Sequence, residues 1–396
     1  MHSRRLWVVS LLFVVWLIWA ETSFQFYDHA LGRDLDLSAS RVSLVAGSFL
    51  VPYGLLQIPV GRLLDQGRVD RWIWIAALMA SGFSFVFAFS TDLVGLMLSR
   101  MGTGVACAVA FPASALLARR TLPQNRFALA MGLTDSLLGW GAVFAALIPL
   151  VFPWTDWRQL VAFQALFLAV MVVVPVIALG RSFPSSTSPQ KIQSLSTSDH
   201  WDRAGIGKII KACLMYAWGG GFVFGLAQYG LISGLRAWGG ERTQWMSLTM
   251  SFGIGLGMVM AGWLGSRSGR RGLVLLSGTG LNLLALIALL RLSNQAAGLL
   301  LLSALCLGLG LGVSVLAFPI AEDAAPSGQT ALTVAIVNTT GTVTGGVMSI
   351  VSGLILEASA PGDLTPVLLV YGLFGLFGVA VATWIQFTTE SVQSAT

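Results

Sequence analysis

Charge is what this chain has least of. Of its 396 residues, 23 are Lys or Arg and 17 are Asp or Glu, 10% together, against 56% hydrophobic. A soluble domain carries about 25% charged residues to keep its surface hydrated. A water-soluble globule of this size is therefore excluded, and a mean hydropathy of +0.80 agrees. Cysteine is scarce too. Cys107, Cys213 and Cys306 lie in apolar runs with no C-x-x-C spacing and no His nearby, which excludes a disulfide framework or thiolate metal site and leaves small packing residues. His2, His29 and His200 are too few and too scattered for a metal centre or a Ser-His-Asp set. No Gly-rich run ends in Gly-Lys-Ser/Thr, so a phosphate-binding loop is missing as well. Neither an enzyme nor a cofactor-binding protein is expected.

Long apolar runs are what the chain does have. A bilayer core takes about 20 residues per helical span. Twelve runs qualify, at 6–30, 41–61, 72–90, 93–118, 127–151, 159–179, 209–232, 245–264, 272–291, 296–320, 328–356 and 365–388. The first follows Arg4 and Arg5 as a signal peptide would. However, Ile18-Trp19-Ala20 is a poor cleavage sequence and eleven spans follow, so it reads as an uncleaved helix. With a cytoplasmic N-terminus, sixteen Lys and Arg fall on the cytoplasmic side, six fall outside, and Arg100 alone lies within a span. The positive-inside rule then places both termini in the cytoplasm. It also accounts for the pI near 9.6 without nucleic acid. Trp7, Trp72, Trp154, Trp157 and Trp238 stand at span ends, as an interfacial belt requires. Residues 181–207 are Ser-, Thr-, Pro- and Gln-rich with no hydrophobic period, and read as a polar linker. The expected architecture is all-α and polytopic: a six-helix bundle over 1–180, the linker, and a second bundle over 208–396.

Two equal halves raise the question of an internal repeat. Gly61-Arg62-Leu63-Leu64-Asp65 follows span 2, and Gly262-Trp263-Leu264-Gly265-Ser266 follows span 8, an offset of 201. Phe111-Pro112 in span 4 answers Phe318-Pro319 in span 10, an offset of 207. On these residues the chain resembles the major facilitator superfamily across essentially its whole length. Gly61, Leu63 and Asp65 match that family's loop signature, with Gly67 arriving one residue early. In the second half Gly262, Leu264, Arg267, Gly269, Arg270 and Arg271 match, with Ser266 in place of the acid. Arg100 and Gly104 match its span-4 signature. The antiporter signature of span 5 departs, with Leu137 where Pro is expected.

The resemblance implies twelve spans in two pseudo-symmetric halves, rocking about a central site. It also implies a cytoplasmic gate at Gly61, Asp65, Arg68, Gly262, Arg267 and Arg270, with Asp65 pairing to Arg62, Arg68 or Arg71. A glycine at such a point lets helices approach closely, and an acid is favoured at a helix N-terminus. Ordinary positive-inside charge is the alternative reading of the arginines.

Ionisable residues inside lipid usually face a cavity or one another. Three stand out: Glu21, Arg100 and Asp135. At 1.5 Å per residue, Glu21 in span 1 and Arg100 in span 4 both lie roughly 20 Å from the cytoplasmic edge. The resemblance puts both spans on the central cavity. An arginine favours the charged carboxylate when close and releases it when apart, as a proton-coupled switch needs; a permanent structural ion pair is the alternative. Gln25 and Asp28 continue the Glu21 face, with Asp28 and His29 expected at the interface. Asp135, near the midplane, either binds a proton or cationic group or caps backbone near Gly139-Trp140-Gly141. Tyr53, Gln57, Trp140, Trp218, Gln228, Tyr229 and Asn338 complete the expected cavity, a mixture suited to an organic solute. Gly219-Gly220-Gly221 is expected to loosen span 7, and Glu322 and Asp323 to be solvated.

The expected protein is thus a monomeric inner-membrane secondary transporter of a small organic molecule. Without an ATP site, its coupling falls to an ion gradient, most simply protons. A proton-driven efflux antiporter for drugs or metabolites and a non-transporting sensor of the same fold are the alternatives.

Overall fold

The computed structural model describes residues 2–66, 68–123, 126–151, 156–175, 203–230, 240–267, 271–291, 297–326, 328–360, 363 and 365–393. Helix follows helix, with no strand among the described residues. The first half comprises α1 (His2–Asp34), α2 (Ala39–Gln66), α3 (Val69–Phe89), α4 (Leu93–Cys107), α5 (Ala110–Thr121), α6 (Phe127–Asp135), α7 (Leu137–Val151) and α8 (Trp157–Leu168), the last extended by a π-helical turn. The second comprises α9 (Arg203–Gly220), a π-helical stretch at Gly221–Gly230, α10 (Gly240–Arg267), α11 (Arg271–Arg291), α12 (Ala297–Leu311), a 3₁₀ turn, α13 (Ala317–Glu322), α14 (Thr330–Ala358) and α15 (Thr365–Gln393).

Eleven spans are long and apolar enough to cross a bilayer, and Trp157–Val173 is a shorter apolar helix where span 6 was expected. The chain is therefore a multi-pass membrane protein with eleven full spans and one short one among the described residues. Helix α9 begins at Arg203, inside the segment expected to be linker; 181–202 lie outside the described residues.

Two breaks position the centre. Pro112 and Pro319 have no N–H to give to the carbonyl four residues back, so a helix cannot run through them undisturbed. Span 4 accordingly breaks between Cys107 and Ala110, and span 10 passes through a 3₁₀ turn at Gly312–Leu316. The breaks are related by the repeat, and they bring Phe111 and Phe318 together across the halves, ring centroids 5.2 Å apart. Span 7 changes to π-helix at Gly221, the last of its three consecutive glycines.

Two long seams join the halves, α2 against α14 and α6–α7 against α10. Gly61 and Gly262 permit close approaches at equivalent places. A Cβ at Gly61 would stand 2.8 Å from the Ala331 carbonyl oxygen, and one at Gly262 would stand 2.9 Å from that of Ala128. Any larger residue would force the helices apart, so the equivalent glycines make equivalent contacts.

Candidate functional site

The ends of α2, α5 and α13 and the start of α14 share one face of the protein, the basic face, where Arg119 and Arg120 close α5. Between the seams, at mid-depth, lies a narrow cavity of about 20 Å³, room for about one water molecule. Its wall includes Glu21 of α1, Phe49 and Tyr53 of α2, Phe111 of α5, Asp135 of α6, Tyr216 of α9, Phe224 of span 7 and Asn338 of α14. Both halves contribute, and they stand closed on it.

Glu21 and Arg100 meet. Arg100 Nη2 donates to Glu21 Oε2 at 2.8 Å, with both side chains 6% exposed. The guanidinium lies over the rings of Phe24 and Phe49 at 4.9 Å and Phe87 at 5.7 Å. Cation–π contact of this kind offsets part of the lost hydration. Arg100 Nε has no hydrogen-bond partner among the described residues. The pair is therefore buried, aromatic-lined and, among the described residues, incompletely hydrogen-bonded.

Asp135 closes α6, where the chain turns at Ser136 before α7. It does not cap the nearby backbone. Its oxygens accept from the hydroxyl of Tyr216, in the other half, at 3.1 and 3.2 Å. Beside it, Asn338 Nδ2 donates to Gln57 Oε1 at 2.7 Å and to Tyr53 Oη at 3.4 Å. Thr339 Oγ1 donates to the Gly54 carbonyl at 2.7 Å. Side chains thus stitch spans 2 and 11 at the level where Gly54 brings them close.

Other expected residues lie elsewhere. Trp218 is fully buried within the second half, packed on Phe222, and Trp140 meets Phe252 edge-on in the α7–α10 seam. Neither is on the cavity wall; tryptophan's bulk fills helix seams as readily as it binds solutes. Gln25 is buried off that wall. Asp28, expected at the interface, is 3% exposed, while His29 is exposed. Trp157, expected in the belt, is buried, stacked on Tyr27 and edge-on to Phe87. The side chains of Gln228, Tyr229, Arg267 and Arg270 lie outside the described residues.

At the basic face Asp65 takes a different partner from the arginines. It accepts from the backbone N–H groups of Ala331 and Leu332 at 3.1 and 3.0 Å, at the start of α14, where a helix leaves N–H groups unpaired and a carboxylate is favoured. Arg68 instead pairs with Asp70 at 2.7 Å. Arg120 is the basic residue whose field reaches Asp65. Glu322, expected in solvent, is half-buried: Arg119 Nε donates to it at 3.0 Å and Thr330 Oγ1 at 3.1 Å. Asp323 pairs with Arg271. At the opposite face the Ser40 N–H donates to Glu357 Oε2 at 3.0 Å.

Sequence reasoning missed Tyr216, Arg119 and Glu322. The last two had a signal: opposite charges at the same ends of repeat-related spans, shortly after Pro112 and Pro319. Tyr216 had none.

Comparison with known proteins agrees with this geometry. Over 148 residues, the chain is 28% identical to the probable galactarate/D-glucarate transporter GudP of Escherichia coli (strain K12), covering 34% of this chain and 32% of that protein. Over 130 residues it is 29% identical to the uncharacterized transporter YybO of Bacillus subtilis (strain 168), covering 33% and 30%. The matched stretch spans about a third of either relative. The family model described as Major Facilitator Superfamily matches residues 8–242, more than half of the chain. With its repeat-related breaks and a central cavity shared by two halves, the chain belongs to the Major Facilitator Superfamily.

Proposed function

We propose that this protein is a proton-coupled secondary transporter of a small organic solute, working by rocking its halves about the central cavity. The observation that carries the reading is the buried Glu21–Arg100 pair, of which Glu21 lines the cavity and Arg100 lies behind it. A lone acid at this depth is costly unless it meets a cation or a proton. The pair sits on two different helices, so a shift between α1 and α4 changes which of the two Glu21 meets. Glu21 is the proposed proton carrier, and the basic face, read as cytoplasmic, holds the gate formed by Asp65 on α14 and Arg119 on Glu322. Lipid and proton are then its partners besides the solute.

The cargo named for GudP does not carry over readily. Galactarate and D-glucarate are dicarboxylates, whereas this cavity wall presents two acids and, among the described residues, no basic side chain.

The test is a panel of radiolabelled amines, amino acids, sugars and sugar acids offered to proteoliposomes under an imposed pH gradient. The expected result is accumulation of at least one class by the wild type. Glu21→Gln should lose uphill accumulation while keeping exchange of that solute. Accumulation by Glu21→Gln at the wild-type level would remove Glu21 as the coupling site and make Asp135 the next candidate.

A further inference from the structure

The cavity's charge is unbalanced. Glu21 has its cation: Arg100 lies behind it, bonded to it and covered by three phenyl rings. Asp135, 1% exposed, has a neutral phenol as its hydrogen-bond donor, and among the described residues no Lys or Arg belongs to the cavity wall. A buried carboxylate held by one hydroxyl is far from satisfied, since it can accept about four hydrogen bonds and lacks a counter-charge. Apart from Asn338 and Thr342, the rest of the wall is aromatic and aliphatic: Phe49, Phe111 and Phe224, with Tyr53 and Tyr216 contributing rings as well. Ring faces attract cations. Just behind the wall, Gln57 Nε2 is buried with no partner among the described residues, while its Oε1 holds the wall residue Asn338.

We propose that the cavity takes an organic cation, a protonated amine on an apolar body, whose ammonium donates to Asp135 in the place now held by the Tyr216 hydroxyl. The proposal deepens, and rests on, the transport reading. Tyr216 and Asp135 belong to opposite halves, so the hydroxyl is an internal stand-in that closes the site. Opening the cavity withdraws it and exposes the carboxylate, and an ammonium then supplies the missing charge.

The experiment uses three probes of one size and differing charge: benzylammonium, benzyl alcohol and benzoate. Each is titrated into the purified full-length protein in detergent while its melting temperature is followed. Benzylammonium is expected to raise the melting temperature, with little effect from the alcohol or the benzoate. Asp135→Asn should weaken the benzylammonium response at least about tenfold, as loss of a charged partner does, and Asp135→Glu should restore part of it. Tyr216→Phe removes the internal competitor and should bind benzylammonium more tightly than the wild type, which keeps the proposal testable if Asp135→Asn does not fold. Stabilisation by benzoate as large as by benzylammonium, no response to benzylammonium, or an undiminished response in Asp135→Asn would overturn the proposal. Its fate is separable from that of the transport reading. Benzylammonium binding without proton-driven flux of any solute removes transport and leaves the site; proton-driven flux of anions alone does the reverse.

Discussion

Replacing Arg100 by Met strands Glu21 at mid-membrane. The two side chains are 6% exposed and joined at 2.8 Å, so the loss is that of a buried ion pair broken on one side, about 3–5 kcal/mol. Three ring contacts disappear as well, although the Met side chain keeps some of their packing. Glu21→Gln leaves the guanidinium without its counter-charge, and although the amide oxygen still accepts from it, a loss of similar size, about 3–5 kcal/mol, is expected. The informative protein is the double variant Glu21→Gln/Arg100→Met. It leaves no charge at this pair, and a buried pair replaced by neutral groups of similar volume is often neutral in stability. The double variant should therefore lie within about 1 kcal/mol of the wild type and well above Arg100→Met. The assay is unfolding of the purified protein by SDS titration in mixed micelles, read by helical circular dichroism, for all four members of the cycle. If the double variant were destabilised by the sum of the two singles, the residues would not be coupled, and holding Glu21 would not be what Arg100 does.

Two further outcomes are expected. Gly61→Val and Gly262→Val each place a branched side chain against a backbone carbonyl under 3 Å away; both should abolish proton-driven uptake while the protein still inserts into the membrane, whereas valine at Gly82, which faces open space, should be tolerated in a flux assay. Cysteines introduced at 185–195 should react with an impermeant maleimide only from the cytoplasm and a cysteine at Asp156 only from outside; the reverse pattern in intact cells would invert the topology.

The membrane class, the repeat and most spans were legible because lipid imposes one rule on every span: about 20 apolar residues, with basic residues held back on one side. Depth was legible too, since helical rise is fixed, and it set Glu21 and Arg100 at one level before any packing was known. Azimuth was not. Whether a tryptophan faces a cavity or a seam depends on which neighbour covers that side, and Trp140 and Trp218 both turned to neighbours. Backbone donors carry no sequence signal either. Asp65 could be matched to arginines by charge, but its partners are two N–H groups exposed because α14 begins there. The Asp135–Tyr216 contact joins residues 81 positions apart in different halves, and only the docking of those halves defines it.

The halves repeat their packing but not their chemistry, and that difference sets which way the empty protein should open. Asp65, four residues beyond Gly61, clamps the start of α14. Ser266, four residues beyond Gly262, turns its hydroxyl back to the Trp263 carbonyl of its own helix. The basic face is therefore held by two carboxylate–N–H bonds on one seam and by Arg119–Glu322 between them, while Ser266, the counterpart of Asp65 on the matching seam, carries no charge to do the same. A hydrogen bond to a charged group exceeds a neutral one by about 1 kcal/mol, and the helix end adds about 0.3–1 kcal/mol. Asp65 is half-buried, so Asp65→Asn should cost closure of the basic face about 1–2 kcal/mol, roughly a 5- to 30-fold shift in the balance of open forms. Labelling of a cysteine placed behind the gate, at Ser114, should quicken by that factor from the basic face. Ser266→Asp should act oppositely, because it sets an acid where α6 begins against Gly262. Unchanged labelling in Asp65→Asn would mean that the clamp closes nothing. Slowed labelling in Ser266→Asp would show that the repeat still holds a second clamp site, lacking only its charge.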